Sequence, residues 1–177
     1  MAVTKIAQVD VGAGGAASID FTSIPQTFTD LMLVLSLKNS IATTNSVMDL
    51  KINGLTASNY TWRTLLGSGS AASSQTFTST ADSGTSMTTG STATANTFSN
   101  VSTYFPNYSA TGIKSWSSDG VTENNATASG QQIVAVSYGV SIGGITSISI
   151  TGNTWQQYSS ATLYGITKGT SSGVTVA

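Results

Sequence analysis

Cysteine and histidine are both missing from the 177 residues. Without Cys there are no disulfides, no thiol nucleophile and no thiolate metal site. Without His the usual neutral-pH general base and the commonest metal ligand are gone as well. Charge is nearly as scarce: Asp, Glu, Lys and Arg make up 7% of the chain, against about 25% in an average soluble domain. The net charge is −1 and no basic stripe exists to neutralise phosphates, so we expect no nucleic-acid partner. The longest apolar run, Leu31 to Leu35, falls far short of the ~20 residues needed to span a bilayer. The start, "MAVTKIAQVD", has a lone Lys5 and no apolar stretch of the secretory kind. A soluble chain with no membrane partner is the expectation.

What fills the space left by charge is hydroxyl. Ser and Thr supply about a third of the residues, so hydroxyls and amides must do most of the solvation that charges usually do. A surface of near-zero net charge lacks self-repulsion and associates readily. A chain of this length fits one domain and can bury roughly 70% of the surface that it exposes unfolded, so it needs no staple.

Two Pro, 18 Gly and the load of Thr, Ser and Val leave no window with a sustained apolar period of 3.6. Strands recur instead. "TKIAQVDV" and "ASIDF" flank a glycine-rich break, and "DLMLVLSLKN" is apolar on both faces, as a strand buried between layers would be. "SVMDLKIN" alternates, with Met48, Leu50 and Ile52 on one side and Asp49, Lys51 and Asn53 on the other. "NYTWRTLL", "SQTFTST", "NTFSNVSTYF", "GIKSWSS", "QQIVAVSYGV", "ITSISITG" and "SATLYGI" complete the set. Eight to ten strands in one domain predict an all-β, single-domain antiparallel β-sandwich of the jelly-roll kind. Its core should hold Leu31, Leu33, Leu35, Met48, Leu50, Ile52, Val134, Val136, Ile148, Ile150 and Leu163.

Residues 67–98 form a Ser/Thr/Gly-rich stretch in which Phe77, Met87 and Phe98 recur. Thr has good β propensity and like-charge repulsion is absent, so we expect one or two strands joined by a long exposed loop around Ala81–Gly90. Residues 169–177 read as a C-terminal tail. No fixed repeat period, heptad run or Gly-X-Y tract is present, so the chain has no shaft of its own.

The motifs with chemical meaning fail on context. "GAGGAA", Gly12 to Ala17, matches a dinucleotide fingerprint, but a strand rather than a helix follows it. "GTSSG", Gly169 to Gly173, has the nucleophile-elbow pattern in a chain with no His to act as base. Seven acidic residues remain as candidates for glycosidase-type pairs. Asp119 and Glu123 lie close together before Asn124 and Asn125, yet without the dense acidic spacing of a Ca²⁺ loop, and read as solvated turn residues. Asn59, Asn100, Asn107 and Asn125 begin Asn-x-Ser/Thr triplets, which this much Ser and Thr produces by chance. We therefore assign no catalytic, cofactor-binding or metal-ligating residue and expect no enzyme and no cofactor.

One cluster stands apart from these motifs. "GNTWQQYSSATLYGITKG", Gly152 to Gly169, sets Trp155, Gln156, Gln157 and Tyr158 side by side. Aromatic rings pack on sugar faces and amides bond hydroxyls, so these four, with Trp62 and Trp116, are the candidate glycan contacts. Trp and Tyr are also the common large fillers of sheet cores and subunit interfaces, and the structural role is the preferred reading.

Four segments in order carry a resemblance: "FTSIPQTFTDLMLVLSLKNS", "MDLKINGLTASNYTWRTLLGSGSAASS", "SDGVTENNATA" and "ITSISITGNTWQQYSSATLYGITKG". They resemble a family of small virion structural proteins of tailed bacteriophages, common in aquatic phage genomes. The similarity runs from Phe21 to Lys168 and is most specific in "IPQTFTDL", "ASNYTWR" and "YSSATLYGI". It implies a β-sandwich that assembles on the particle and brings no catalytic residues. A compact chain without a shaft suits a capsid decoration or cement protein, made in the host cytoplasm and carried on the virion. Its implied partners are the major capsid protein and copies of itself, in a homo-oligomer such as a trimer. The alternative is a tail or tail-fibre-associated adhesin, for which a host surface glycan would be the partner.

Overall fold

The computed structural model describes residues 1–68, 70–122 and 130–168. Its twelve strands are β1 (Ala2–Asp10), β2 (Ala16–Phe21), β3 (Asp30–Leu37), β4 (Asn45–Ile52), β5 (Tyr60–Ser68), β6 (Ala71–Thr80), β7 (Ser83–Thr89), β8 (Ser99–Phe105), β9 (Gly112–Thr122), β10 (Gly130–Ile142), β11 (Ile148–Trp155) and β12 (Ser160–Thr167). They form an eight-stranded sheet, β1-β12-β3-β8-β9-β10-β5-β6, and a four-stranded sheet, β2-β11-β4-β7. Every strand pair in the two ladders is antiparallel.

The order encodes a jelly roll with two additions. Setting β5, β6, β9 and β10 aside and renumbering the other eight in chain order gives 1-8-3-6 in one sheet and 2-7-4-5 in the other. That is the interleaved order of two Greek keys. The set-aside strands form two insertions, β5–β6 between β4 and β7 and β9–β10 between β8 and β11, and both extend the same sheet.

Period-2 burial drives the closure. In β3 the pattern from Leu31 to Leu37 is strictly alternating, with Leu31, Leu33, Leu35 and Leu37 inside. Met48, Leu50 and Ile52 of β4 and Ile148 and Ile150 of β11 meet them from the smaller sheet. Each such side chain contributes about 1.5–3 kcal/mol when fully buried. All eleven core residues expected from the pattern are buried in the sandwich. β3 differs from expectation on its other face. Met32, Val34 and Ser36 stay partly exposed, so the strand is central within its sheet without being covered by a second layer.

The serine-rich segment also needs correction. Residues 83–89 are a buried strand and not an exposed loop: Ser83, Ser86, Met87, Thr88 and Thr89 are all inside. β7 pairs with β4 and lies over β8, β9 and β10. Small side chains let it approach closely, and glycines face it across the interface. A Cβ at Gly120 would clash with Ser86 Oγ and come within 3.1 Å of Val101 Cγ2. Hydroxyl-bearing residues Thr103, Ser118 and Thr122 continue this layer on β8 and β9. The polarity of this stretch is therefore a poor guide to its exposure, because Ser and Thr are small enough to pack where larger polar residues cannot. The expected C-terminal tail, 169–177, lies outside the described residues.

Candidate functional site

The loops sort to the two ends of the sandwich. At one end the β2–β3, β4–β5, β8–β9 and β10–β11 connections are tied together. Asn53, at φ 51°, accepts from the Thr146 N–H at 2.7 Å and the Ser147 N–H at 3.2 Å and donates to the Gly144 carbonyl at 3.0 Å. Gln26 Nε2 donates to the Ile24 and Ile145 carbonyls, and the Tyr108 hydroxyl donates to the Pro25 carbonyl. Side chains satisfy the backbone there around the buried Ile24, Tyr108 and Ile145.

At the other end the β1–β2, β3–β4, β7–β8 and β11–β12 connections converge. The Gln156–Ser159 turn is held from several sides. The Gln156 N–H donates to the Lys38 carbonyl at 2.8 Å and its side-chain amide to the Asn39 carbonyl at 2.9 Å. The Tyr158 N–H donates to the Val11 carbonyl at 3.0 Å, and the Ser159 hydroxyl exchanges hydrogen bonds with the Lys38 backbone. The result is a rigid turn whose Tyr158 sits at φ 71° with 70% of its surface exposed.

The six aromatic and amide candidates therefore separate. Trp155 is fully buried at the end of β11, its Nε1 donating to the Ile150 carbonyl at 3.2 Å. Trp116 is buried in an aromatic cluster, 5.4 Å from the Phe105 ring and 6.2 Å edge-on from Tyr60. Trp62 stacks on Phe77 of β6 at 3.7 Å, and its indole edge reaches Gly84 of β7. None of the three tryptophans presents an open face beside the others, so a tryptophan platform does not exist. Gln156, Gln157 and Tyr158 do stay together. They line a cleft of about 390 Å³ whose other wall includes Lys38, Asn96 and Phe98.

Lys38 and Asn96 carry the signal that pattern reading missed. Lys38 lies one residue past β3 and is only 5% exposed. Its Nζ donates to the Thr94 carbonyl at 2.9 Å and reaches the Ala93 carbonyl at 3.5 Å. Its position at the end of an apolar run gave no hint of burial.

The carboxylates do not assemble. Asp119 sits mid-strand in β9, where Ser102 donates to it, and not in a turn as expected; Glu123, Asn124 and Asn125 lie outside the described residues. Among the described residues no group of three or more acidic side chains could hold a metal ion. Among the described residues Asp49 is the acid shifted upward. Partial burial, reinforced by the nearby Asp82 and opposed by Lys51, pushes its carboxyl up to about 6.

A second surface stands out on the extended sheet. Leu65 of β5 and Ile133 of β10 are paired neighbours on its outer face, 62% and 49% exposed. Asp119 and Ser102 continue that row on β9 and β8, and Ser74 of β6 follows Leu65. Leu65, Gln131 and Ile133 border a shallow groove of about 440 Å³ against Ala72, Ser73 and Ser74. Beyond it β6 is the edge strand, exposed along most of its length. No family model, curated protein or solved structure matches this chain.

Proposed function

We propose that the chain is a non-enzymatic structural subunit of a bacteriophage particle, a capsid decoration protein that binds the major capsid shell and copies of itself. The observation that carries the reading is the β6 edge with the exposed Leu65–Ile133 pair beside it. The sequence of β6, "AASSQTFTST", has no charge and no Pro; a bulge interrupts its pairing near Ser79, but the regular stretch from Ala71 to Phe77 is left unguarded, and such an edge invites another chain unless something covers it. A neighbouring subunit supplies both the missing ladder partner and the apolar cover. The jelly-roll order is shared by viral capsid and lectin domains, which supports the reading by analogy of fold alone. The resemblance of the Phe21–Lys168 segments to phage virion proteins points the same way.

Two measurements test it. Light scattering on the purified protein should report an oligomer that Leu65→Lys and Ile133→Lys reduce to monomer with unchanged circular dichroism. Deleting the gene from its phage should leave heads sensitive to heat or osmotic shock while adsorption stays near normal. A stable monomer together with robust heads and lost adsorption would favour the alternative, a tail-associated adhesin, for which the cleft at Tyr158 is the supporting feature.

A further inference from the structure

We infer that the cleft between the β3–β4, β7–β8 and β11–β12 connections binds a carboxylate-bearing sugar, with Lys38 as the anion contact. Lys38 is the reason. The residue is only 5% exposed, and the described partners of its ammonium are the carbonyl oxygens of Ala93 and Thr94, which are neutral. The ion pairs among the described residues are Lys51–Asp82 and Lys168–Asp30, so no carboxylate of the described residues answers this charge. An ammonium taken out of water costs several kcal/mol unless an opposite charge compensates it, and carbonyl dipoles satisfy only its N–H groups. Lys38 forms part of the wall of an open cleft. A carboxylate entering there would meet a wall whose one charged residue is Lys38.

The remaining walls select the kind of carboxylate. Tyr158, held on its rim at positive φ by the Val11 carbonyl, and Phe98 supply ring surface for the apolar face of a sugar. The exposed amides of Asn96 and Gln157 supply donors and acceptors for ring hydroxyls. The Gln156 side chain is already fixed to the Asn39 carbonyl, so the turn need not be ordered when a sugar arrives, which lowers the cost of binding. A cleft of about 390 Å³ lies at the small end of the range of roughly 300–1,000 Å³ typical of small-ligand sites, enough for one or two sugar units. The alternative role for Lys38, a tie that does no more than hold the β7–β8 loop, predicts no ligand preference. The inference holds for a subunit on head or tail and does not rest on the assembly proposed above.

Proton–nitrogen NMR of the full chain tests it. Galacturonic acid and sialyllactose should shift the amides of Asn96, Gln157 and Tyr158 saturably, with galactose and lactose at least about tenfold weaker, a gap of roughly 1.4 kcal/mol. Tyr158→Ala and Gln157→Ala, both at exposed positions, should weaken the acidic sugars severalfold with the fold unchanged. Lys38→Met should abolish the acidic preference; where that variant does not fold, the ratio of acidic to neutral sugar in the parent chain decides. Equal shifts with acidic and neutral sugars overturn the inference. So do acetate acting as well as galacturonic acid, saturable shifts confined to the β5–β10 sheet face, or no saturable shift at all.

Discussion

The indole of Trp155 occupies the space that a side chain at Gly152 would need: a Cβ there would lie 2.7 Å from Trp155 Cη2 and 3.1 Å from the Val47 carbonyl oxygen. Gly152 is buried in β11, so the ring packs back along its own strand. Gly152→Ala should therefore destabilise by about 1–3 kcal/mol through overpacking, and Trp155→Ala by about 3–5 kcal/mol through the cavity it leaves. Urea unfolding followed by circular dichroism measures both. A Trp155→Ala chain as stable as its parent would return that residue to the surface.

Asp30 at the start of β3 is fully buried and answers three donors: Lys168 Nζ at 2.8 Å, the Tyr104 hydroxyl at 2.6 Å and the Asn107 N–H at 2.9 Å. Burial by itself would raise its carboxyl, but these hydrogen bonds, with the Lys168 charge, outweigh it and hold the group below its ordinary value. In the window between the lowered value and the unfolded one, about 3.9, the unfolded chain binds more protons. The contribution is thus complete above about pH 4 and is lost as the pH falls through the lowered value. Asp30→Asn should cost about 1–3 kcal/mol at pH 7, and the gap from the parent should close in acid. A gap that stays constant down to pH 2 would remove the proposed linkage.

Asp49 works in the opposite direction. Partial burial and the nearby Asp82 carry its carboxyl up to about 6, so its folded form holds a proton that the unfolded chain has already released. That contribution is present below about pH 4 and disappears as the pH rises through 6. Asp49→Asn should then stabilise the protein at pH 8 by about 1 kcal/mol, once solvent screening is allowed for, and change little at pH 4. Thermal melts at the two pH values check the sign. A variant less stable at pH 8 than the parent would contradict it.

Strand content and the hydrophobic core were legible because alternation at period 2 records which face is inside, and Leu31, Met48 and Ile150 sit where it puts them. The tryptophans were ambiguous for a physical reason: a ring in "TWQQY" reads the same whether it faces solvent or Gly152. The cleft was half legible. Its turn was marked by Gln156, Gln157 and Tyr158, but Asn96 and Phe98 lie some sixty residues earlier and Lys38 earlier still, and only the interleaved strand order brings them together. β7 was not legible as a buried strand. Its burial depends on glycines of β9 and β10 that no local pattern connects to it.

That dependence is testable at Ser86 and Gly120. A methyl at Gly120 would clash with Ser86 Oγ, while Val101 closes the space from the side at 3.1 Å. The Ser86 hydroxyl is buried with no hydrogen-bond partner among the described residues, so Ser86→Ala removes no favourable bond and should be near neutral or mildly stabilising. Gly120→Ala alone should cost about 1–3 kcal/mol. In the double variant part of that cost should vanish, because the oxygen that blocked the methyl is gone. The Ser86 Cβ, at 3.2 Å, still leaves the fit tight, so relief should be incomplete. A coupling of about 0.5–2 kcal/mol in a double-mutant cycle is expected for residues in contact. Strictly additive effects would mean that β7 does not lie on β9, and an exposed loop over these residues would regain its place.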